Sequence, residues 1–336
     1  MSELVAIVYN DLADPRLAGE GEEAPAAHVI RDEIPLLEEI LRRRGNDVLT
    51  LPVGSEVLEA AKELALRSPR VVFNLCEDLL GDSAHEMHFA AMMELMGLRY
   101  TGSPPLTLGL CRDKPRTKTL VKEIGIPTPR FVVAESRHFP LQDLEFPLIV
   151  KPATEDGSLG IDDECVTGNE DSLREKVEEL LGYYDQVLVE EYVDGRELNV
   201  AVLGGEPLRV LPVSEIDFSG LPEGCPAICG YEAKWDEGND RYLTTVPICP
   251  ADLDPKDAEK IASLSTAAFR ILGLRDYGRI DWRLSPTRGP QFLEANPNPD
   301  ISPSSGFVRS LRAADLDYPE FVDFLFNAAS SRTETA

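Results

Sequence analysis

Short apolar runs alternate with stretches of helical period through the first hundred residues. Leu4–Tyr9 is a continuous apolar run of strand length. Ala26–Arg44 carries Val29, Ile30, Leu36, Leu37, Ile40 and Leu41 at helical spacing and stops at Gly45. The pattern then predicts a strand over Asp47–Val53, a helix over Glu56–Arg67, a strand over Arg70–Leu75 and a helix over Glu86–Met96. Strands alternating with helices imply a parallel sheet with covered faces. Ligands of such sheets collect at the carboxyl ends of the strands. Asn10-Asp11 and Asn74-Leu75-Cys76-Glu77-Asp78 are therefore candidate substrate contacts, or else polar loop residues.

Beyond Tyr100–Ser103 the rhythm changes. C-R-D-K-P-R-T-K, with Lys114 and Lys118 one helical turn apart, opens a helix that runs to Ile124. Strands are predicted over Phe131–Ala134, in F-P-L-I-V-K-P ending near Lys151, and over Val187–Glu191. From Glu197 an apolar run turns at Gly204-Gly205 into Leu208–Val213, a hairpin. A second hairpin lies within Gly278–Gly306, its turn at Ser285–Pro290. Side chains alternate faces along a strand, so Arg279, Asp281 and Arg283 share one face and Ile280, Trp282 and Leu284 the other. Glu294 and Asn296 share a face of the returning strand. If the polar faces coincide, Asp281, Glu294 and Asn296 surround one point with hard oxygens, which suits Mg²⁺. The alternative is a solvated polar face.

Composition narrows the class. A chain of 336 residues, 43% hydrophobic, is long enough for two or three domains. A net charge of −27 argues against nucleic acid and anionic membranes as partners. No apolar run reaches the ~20 residues of a spanning helix, and no signal-peptide pattern opens the chain. A cytoplasmic location is the expectation. The six cysteines lack paired metal spacing and read as small buried hydrophobes, Cys225 and Cys229 included. His85 and His88, in H-E-M-H, lack the full H-E-x-x-H zinc pattern. No G-x-G-x-x-G follows the first strand, which removes the usual anchor of a nicotinamide or flavin enzyme.

Local cations then matter more than the net charge. Lys151 closes a strongly apolar strand, and a buried ammonium needs an anion. The loop T-E-D-G-S-L-G that follows places Gly157 and Gly160 around Ser158, so backbone N–H groups can approach phosphate oxygens.

Taken in order, M-E-L-M-G-L-R-Y-T-G-S, D-K-x-x-x-K, F-P-L-I-V-K-P, V-L-V-E-E-Y-V, Y-E-A-K, G-R-I-D and L-E-A-N resemble the ATP-grasp superfamily. Within it, the chain most resembles the D-alanine–D-alanine ligases and their relatives, from about Phe73 onward. The resemblance implies an α/β fold with α+β elements: an N-terminal parallel-sheet unit (1–105), then two α+β units (106–193 and 194–336) that clasp ATP. It implies that Lys114 and Lys151 contact the phosphates, Glu190 and Val193 the adenine, and Glu197 the ribose. Lys234 would lie on a loop that folds over the phosphates, around Gly230–Arg241. Asp281, Glu294 and Asn296 would hold Mg²⁺, with Mn²⁺ as an alternative, and Arg279 would stand beside the reacting carbonyl. The implied activity is ADP-forming carboxylate–amine ligation of amino acids or related small molecules through an acyl phosphate. A homodimer is the assembly to test for.

Four positions depart from the family pattern. A family serine reads here as Gly157, with Ser158 beside it as the replacement candidate, and a family tyrosine as Trp235. The glycine-and-histidine loop of the first unit is replaced by Asn74–Asp78. A glycine that helps hold the second substrate becomes Asp300, with Ser304 or Ser305 left to meet a carboxylate. Asp300 would repel an α-carboxylate and suit an amine or another cation. The expectation is a ligase whose product need not be D-alanyl-D-alanine. The competing readings are that ligase itself and an ATP-binding regulatory protein without catalysis.

Overall fold

The computed structural model describes residues 2–11, 14, 26–236 and 238–332, with 26–32 and Trp235 described by backbone alone. The acidic segment Glu20–Glu23, the side chains of Val29 and Ile30, and that of Trp235 lie outside this description.

The first sheet is parallel, with β1 (Leu4–Asn10) between β2 (Asp47–Val53) and β3 (Val71–Leu75). Its two faces are covered by different parts of the chain. Ala6, Val8 and Val72 pack against α2 (Val57–Arg67) and α3 (Glu86–Leu95), which supply Leu64, Phe89 and Met93. Val5, Ile7 and Phe73 pack against α1 (Ala26–Arg43) and against helices from the far end of the chain, through Phe307, Phe321 and Leu325. The N-terminal sheet therefore completes its core with C-terminal residues.

α4 (Pro105–Arg112) and α5 (Lys114–Glu123) follow. Asp113 separates them: its carboxylate accepts from the Arg116 N–H at 2.9 Å, and Pro115 stands in the first turn of α5. The second sheet is antiparallel in the order β4 (Phe131–Ala134), β7 (Val187–Glu191), β5 (Leu148–Pro152), β6 (Val166–Thr167). α6 (Glu170–Leu180), capped by Asn169, buries Leu173, Val177 and Leu180 against it.

The third sheet holds β8 (Arg196–Leu203), β9 (Arg209–Val210), β10 (Ser214–Asp217), β11 (Val246–Ile248), β12 (Tyr277–Ser285) and β13 (Gly289–Asn296). Its order is β11-β10-β8-β12-β13, with β9 also on β8. The expected strand over Leu208–Val213 is corrected here. Only Arg209–Val210 pairs as β9, Pro212 breaks the ladder, and pairing with β8 resumes at Ser214. α7 (Tyr231–Trp235) and α8 (Asp240–Thr244) lie between β10 and β11. α9 (Pro255–Ile271) packs Ile261, Ala268 and Phe269 beneath β8, β12 and β13, alongside Val121 of α5. α10 (Gly306–Ala313) and α11 (Tyr318–Ser330) return to the first sheet. Among the described residues, no helix is long and apolar enough to cross a membrane.

Candidate active site

The hairpin β12–β13 carries the centre of the site. Arg279 lies opposite Asn296 and Asp281 opposite Glu294, so the two polar faces do coincide. A regular strand would put Phe292 and Glu294 on one face, since they are two apart. The register shifts after Asp281, and Trp282 then faces Phe292 instead of Leu293. This bulge sends Phe292 into the core, edge-on to Trp282 at 5.8 Å, while Glu294 keeps the polar face.

Each charge on that face meets its opposite. Arg279 grips Asp281 with Nε and one terminal nitrogen, each at 2.8 Å, and Asn199 of β8 donates to the same carboxylate at 2.8 Å. Burial opposes the charge of Arg279, but Asp281 outweighs it and holds the guanidinium charged. Glu294 lies 3.4 Å from Lys114, which also reaches Asp156 at 3.0 Å and the Glu155 carbonyl. Burial pushes the Glu294 carboxyl up, while Lys114, Lys151, Arg279 and Lys234 together hold it well below the usual carboxylate range. Glu197 pairs with Arg283 at 3.0 Å; burial nevertheless keeps its carboxyl above the ordinary value.

The two lysines of α5 part company. Lys118 is fully buried, 2.8 Å from Glu190, and bonds to Thr128 and the Phe292 carbonyl. Lys151 pairs with the same Glu190. Burial pulls Lys118 down to about 8, with Glu190 opposing and the Lys151 ammonium adding to the fall. Thus Glu190 is a buried carboxylate between two lysines, and Val193, two residues past β7, is buried beside it in sequence.

The glycine loop is tied to the segment that holds Lys234. Gly157, Ser158 and Gly160 all have positive φ, near +68°, +64° and +69°. Ser158 Oγ donates to the Cys229 carbonyl at 2.7 Å. Tyr231 N–H donates to the Ile161 carbonyl at 2.9 Å, and a Cβ at Gly230 would come within 2.7 Å of that carbonyl oxygen. Arg241 pairs with Asp163.

Other expectations resolve differently. Asn10 spends its amide on the loop after β3, accepting from the Glu77 N–H and donating to the Asp78 carbonyl, both at 2.8 Å. Asn74 accepts from the Cys76 N–H at 3.4 Å. Both asparagines shape the loop that presents Glu77. Asp300 accepts from the Ser302 N–H at 2.7 Å, Ser305 caps α10, and Ser304 is exposed. Cys76, Cys111 and Cys165 are buried, but Cys225, Cys229 and Cys249 are only half-buried, which corrects the reading of all six as buried. No cluster of three or more His, Cys, Asp or Glu fit to hold a metal occurs among the described residues, so Cys225, Cys229, His85 and His88 form no such site.

The donor set of the hairpin fits Mg²⁺ as two carboxylates and an amide oxygen. Glu294 and Asn296 are its freer members, because Arg279 already holds both oxygens of Asp281. Asn296 Oδ1 accepts from the Asn298 N–H at 3.0 Å, which fixes the amide and leaves one lone pair outward.

The motifs missed Asn199 and Glu33. Asn199 sits two residues from Glu197 on β8, so the period-two rule would have found it. Glu33 lies one helical turn before Leu37 and two before Leu41, an acidic residue in an apolar stripe.

Comparison with known proteins adds the lineage. The D-ala D-ala ligase C-terminus family matches residues 120–327. A protein of Sinorhizobium fredii described as uncharacterized protein y4sG is 36% identical over 79% of this chain and 76% of its own. A D-alanine–D-alanine ligase of Bordetella petrii is 36% identical over 72% of each chain. The crystal structure of a Bacillus anthracis D-alanine–D-alanine ligase complexed with ATP superposes with a TM-score of 0.73, at 19% identity, covering 98% of this chain and 97% of its own. With a hairpin face that follows the family's G-R-I-D and L-E-A-N segments, the chain belongs to the D-alanine–D-alanine ligase family of ATP-grasp proteins.

Proposed function

We propose that the protein is an ADP-forming carboxylate–amine ligase that joins amino acids or related small molecules through an acyl phosphate. The observation that carries this reading is the shared face of Arg279, Asp281, Glu294 and Asn296, with Lys114 against Glu294. ATP would lie between units 106–193 and 194–336, its phosphates against Lys114, Lys151 and the loop at Ser158. Glu190 and Val193 would meet the adenine and Glu197 the ribose. The carboxylate substrate attacks the γ-phosphorus, ADP leaves, and the amine then displaces phosphate from the acyl phosphate. Glu294, Asn296 and Asp281 would hold Mg²⁺ (or Mn²⁺), which would neutralise charge on the transferring phosphoryl group. Arg279 donates to the oxyanion of the tetrahedral species. Lys234 and the loop around Gly230–Arg241, strapped to the glycine loop through Tyr231 and Arg241 and, just before it, through Ser158 on the Cys229 carbonyl, would keep water from the acyl phosphate. We place the reaction in the cytoplasm.

The substrate side departs from the dipeptide ligases at Gly157, Trp235 and Asp300, so the product is not expected to be D-alanyl-D-alanine. Glu77, Ser304 and Ser305 would complete that side with Asp300. An amine-dependent phosphate-release assay with ATP and a panel of amino acids as both partners tests the reading. Release that needs both a carboxylate and an amine supports it. ATP binding without turnover across the panel would replace it with a nucleotide-binding regulatory role, and efficient D-alanyl-D-alanine synthesis would restore the family's own product.

A further inference from the structure

Away from the hairpin, Glu33, Glu77 and Asp300 share one neighbourhood, where Asp300 and Glu77 act on Glu33, and the cations acting there are Lys234 on Glu77 and Arg279 on Asp300. Glu77 reaches water from the loop that Asn10 brackets, and Asp300, Lys234, Asp78 and Asp156 all act on its charge. Crowding by the surrounding protein and then Asp300 raise its carboxyl against the pull of Lys234, although the residue itself is exposed. The second wall is α1. Glu33 lies on the stripe that continues through Leu37 and Leu41, and these pack with Ile301, next to Asp300. Glu33 is 4% exposed, and its Oε1 has no hydrogen-bond partner.

Two more buried groups near Asp300 share that condition. Ser302 Oγ, two residues on, and Tyr318 OH, at the start of α11, are also without partners. Tyr318 packs in the same core cluster as Leu37, Leu41 and Ile301, which brings α1, residues 300–302 and α11 together, and both Glu33 and Asp300 act on its hydroxyl. A buried polar group left unbonded is costly, and three on adjoining elements point to a ligand that supplies the bonds. An ammonium brings three donors, no acceptor and a positive charge. A carboxylate at the same place would add to the repulsion among Glu33, Glu77 and Asp300.

We propose that this wall selects a substrate carrying a second positive charge, a basic amino acid or a diamine, and seats its unreactive ammonium among Glu33, Glu77 and Asp300. The inference rests on the ligase reading and names the substrate class of the same site.

Binding and turnover separate the two. Titration calorimetry of the full chain, with Mg²⁺ and a non-hydrolysable ATP analogue, compares lysine of either hand and cadaverine with alanine. The cationic ligands are expected to bind about 10-fold tighter or more, the equivalent of one charge-assisted hydrogen bond. Asp300→Asn keeps an acceptor for Ser302 N–H, and Glu33→Gln changes a different element; each is expected to reduce the preference about 10-fold. Equal affinity for alanine and lysine overturns the proposal whether or not phosphate is released, and so does a preference that both variants retain. Tight lysine binding with no turnover against any partner would end the ligase reading and leave the cation site standing.

Discussion

The two sides of the cleft handle charge in opposite ways. On the hairpin side Asp281 meets Arg279, Glu294 meets Lys114, Glu197 meets Arg283, and Glu190 meets both Lys118 and Lys151. On the proposed substrate side Asp300 and Glu77 oppose ionisation of Glu33, and the buried hydroxyls of Ser302 and Tyr318 make no hydrogen bond. The first arrangement holds its groups in place with no ligand bound. The second is completed only by what binds there.

The same substitution made on both sides should break the symmetry of that contrast most strongly. Glu190→Gln leaves Lys118 and Lys151 buried without a counter-charge, and removing one partner of such a cluster costs about 3–5 kcal/mol. Glu33→Gln removes a carboxyl that burial and its acidic neighbours already disfavour as an anion, so it should cost less than about 1 kcal/mol or stabilise. Urea unfolding of both variants measures the difference. Similar losses would mean that the two sides do not differ in the way described.

Within the hairpin side, Arg279→Lys keeps the charge and loses the planar fork that grips Asp281. Loss of a donor to the developing oxyanion lowers kcat about 10²–10³-fold. Steady-state kinetics with the substrates found in the phosphate-release panel would show it, and a kcat within 10-fold of the parent would remove Arg279 from the reacting centre.

Much of the hairpin side was legible in the sequence, and for a physical reason. Period-two alternation puts Arg279 with Asp281 and Glu294 with Asn296 on the strength of local spacing alone. The bulge at Leu293 was not legible, yet without it Phe292 could not reach the core while Glu294 kept the polar face. The partner of Lys118 was not legible either: it follows Lys114 by one helical turn, but the packing of α5 against β13 turns it toward Glu190. The N-terminal core was harder still: residues near 5–7 and 307–325 meet only in three dimensions, and no local pattern announces such a contact. Glu33 belongs to that class. Its stripe is visible in the sequence, but the neighbours that give it meaning come from residues 300–318.

The smallest expected effect is also the one that separates the two sides by sign. Glu33 has its carboxyl raised well above the ordinary value by burial, then by Asp300 and Glu77. The folded chain therefore keeps a proton there that the unfolded chain gives up near pH 4.3. Its contribution to stability is full below that pH and is lost as pH rises toward the folded value. Glu190 runs the other way. Burial raises its carboxyl, but Lys118 and Lys151 outweigh burial and lower it, so its contribution is present above the unfolded value and lost as pH falls through the folded one. Unfolding free energies of the parent and of Glu33→Gln, compared from pH 5 to pH 8, should diverge by on the order of 1–2 kcal/mol, with the parent losing the more as pH rises. A bound cation should narrow the gap, because it stabilises the ionised Glu33 that the free protein disfavours. Parallel curves, with and without lysine, would mean that Glu33 faces neither an acidic neighbourhood nor the ligand.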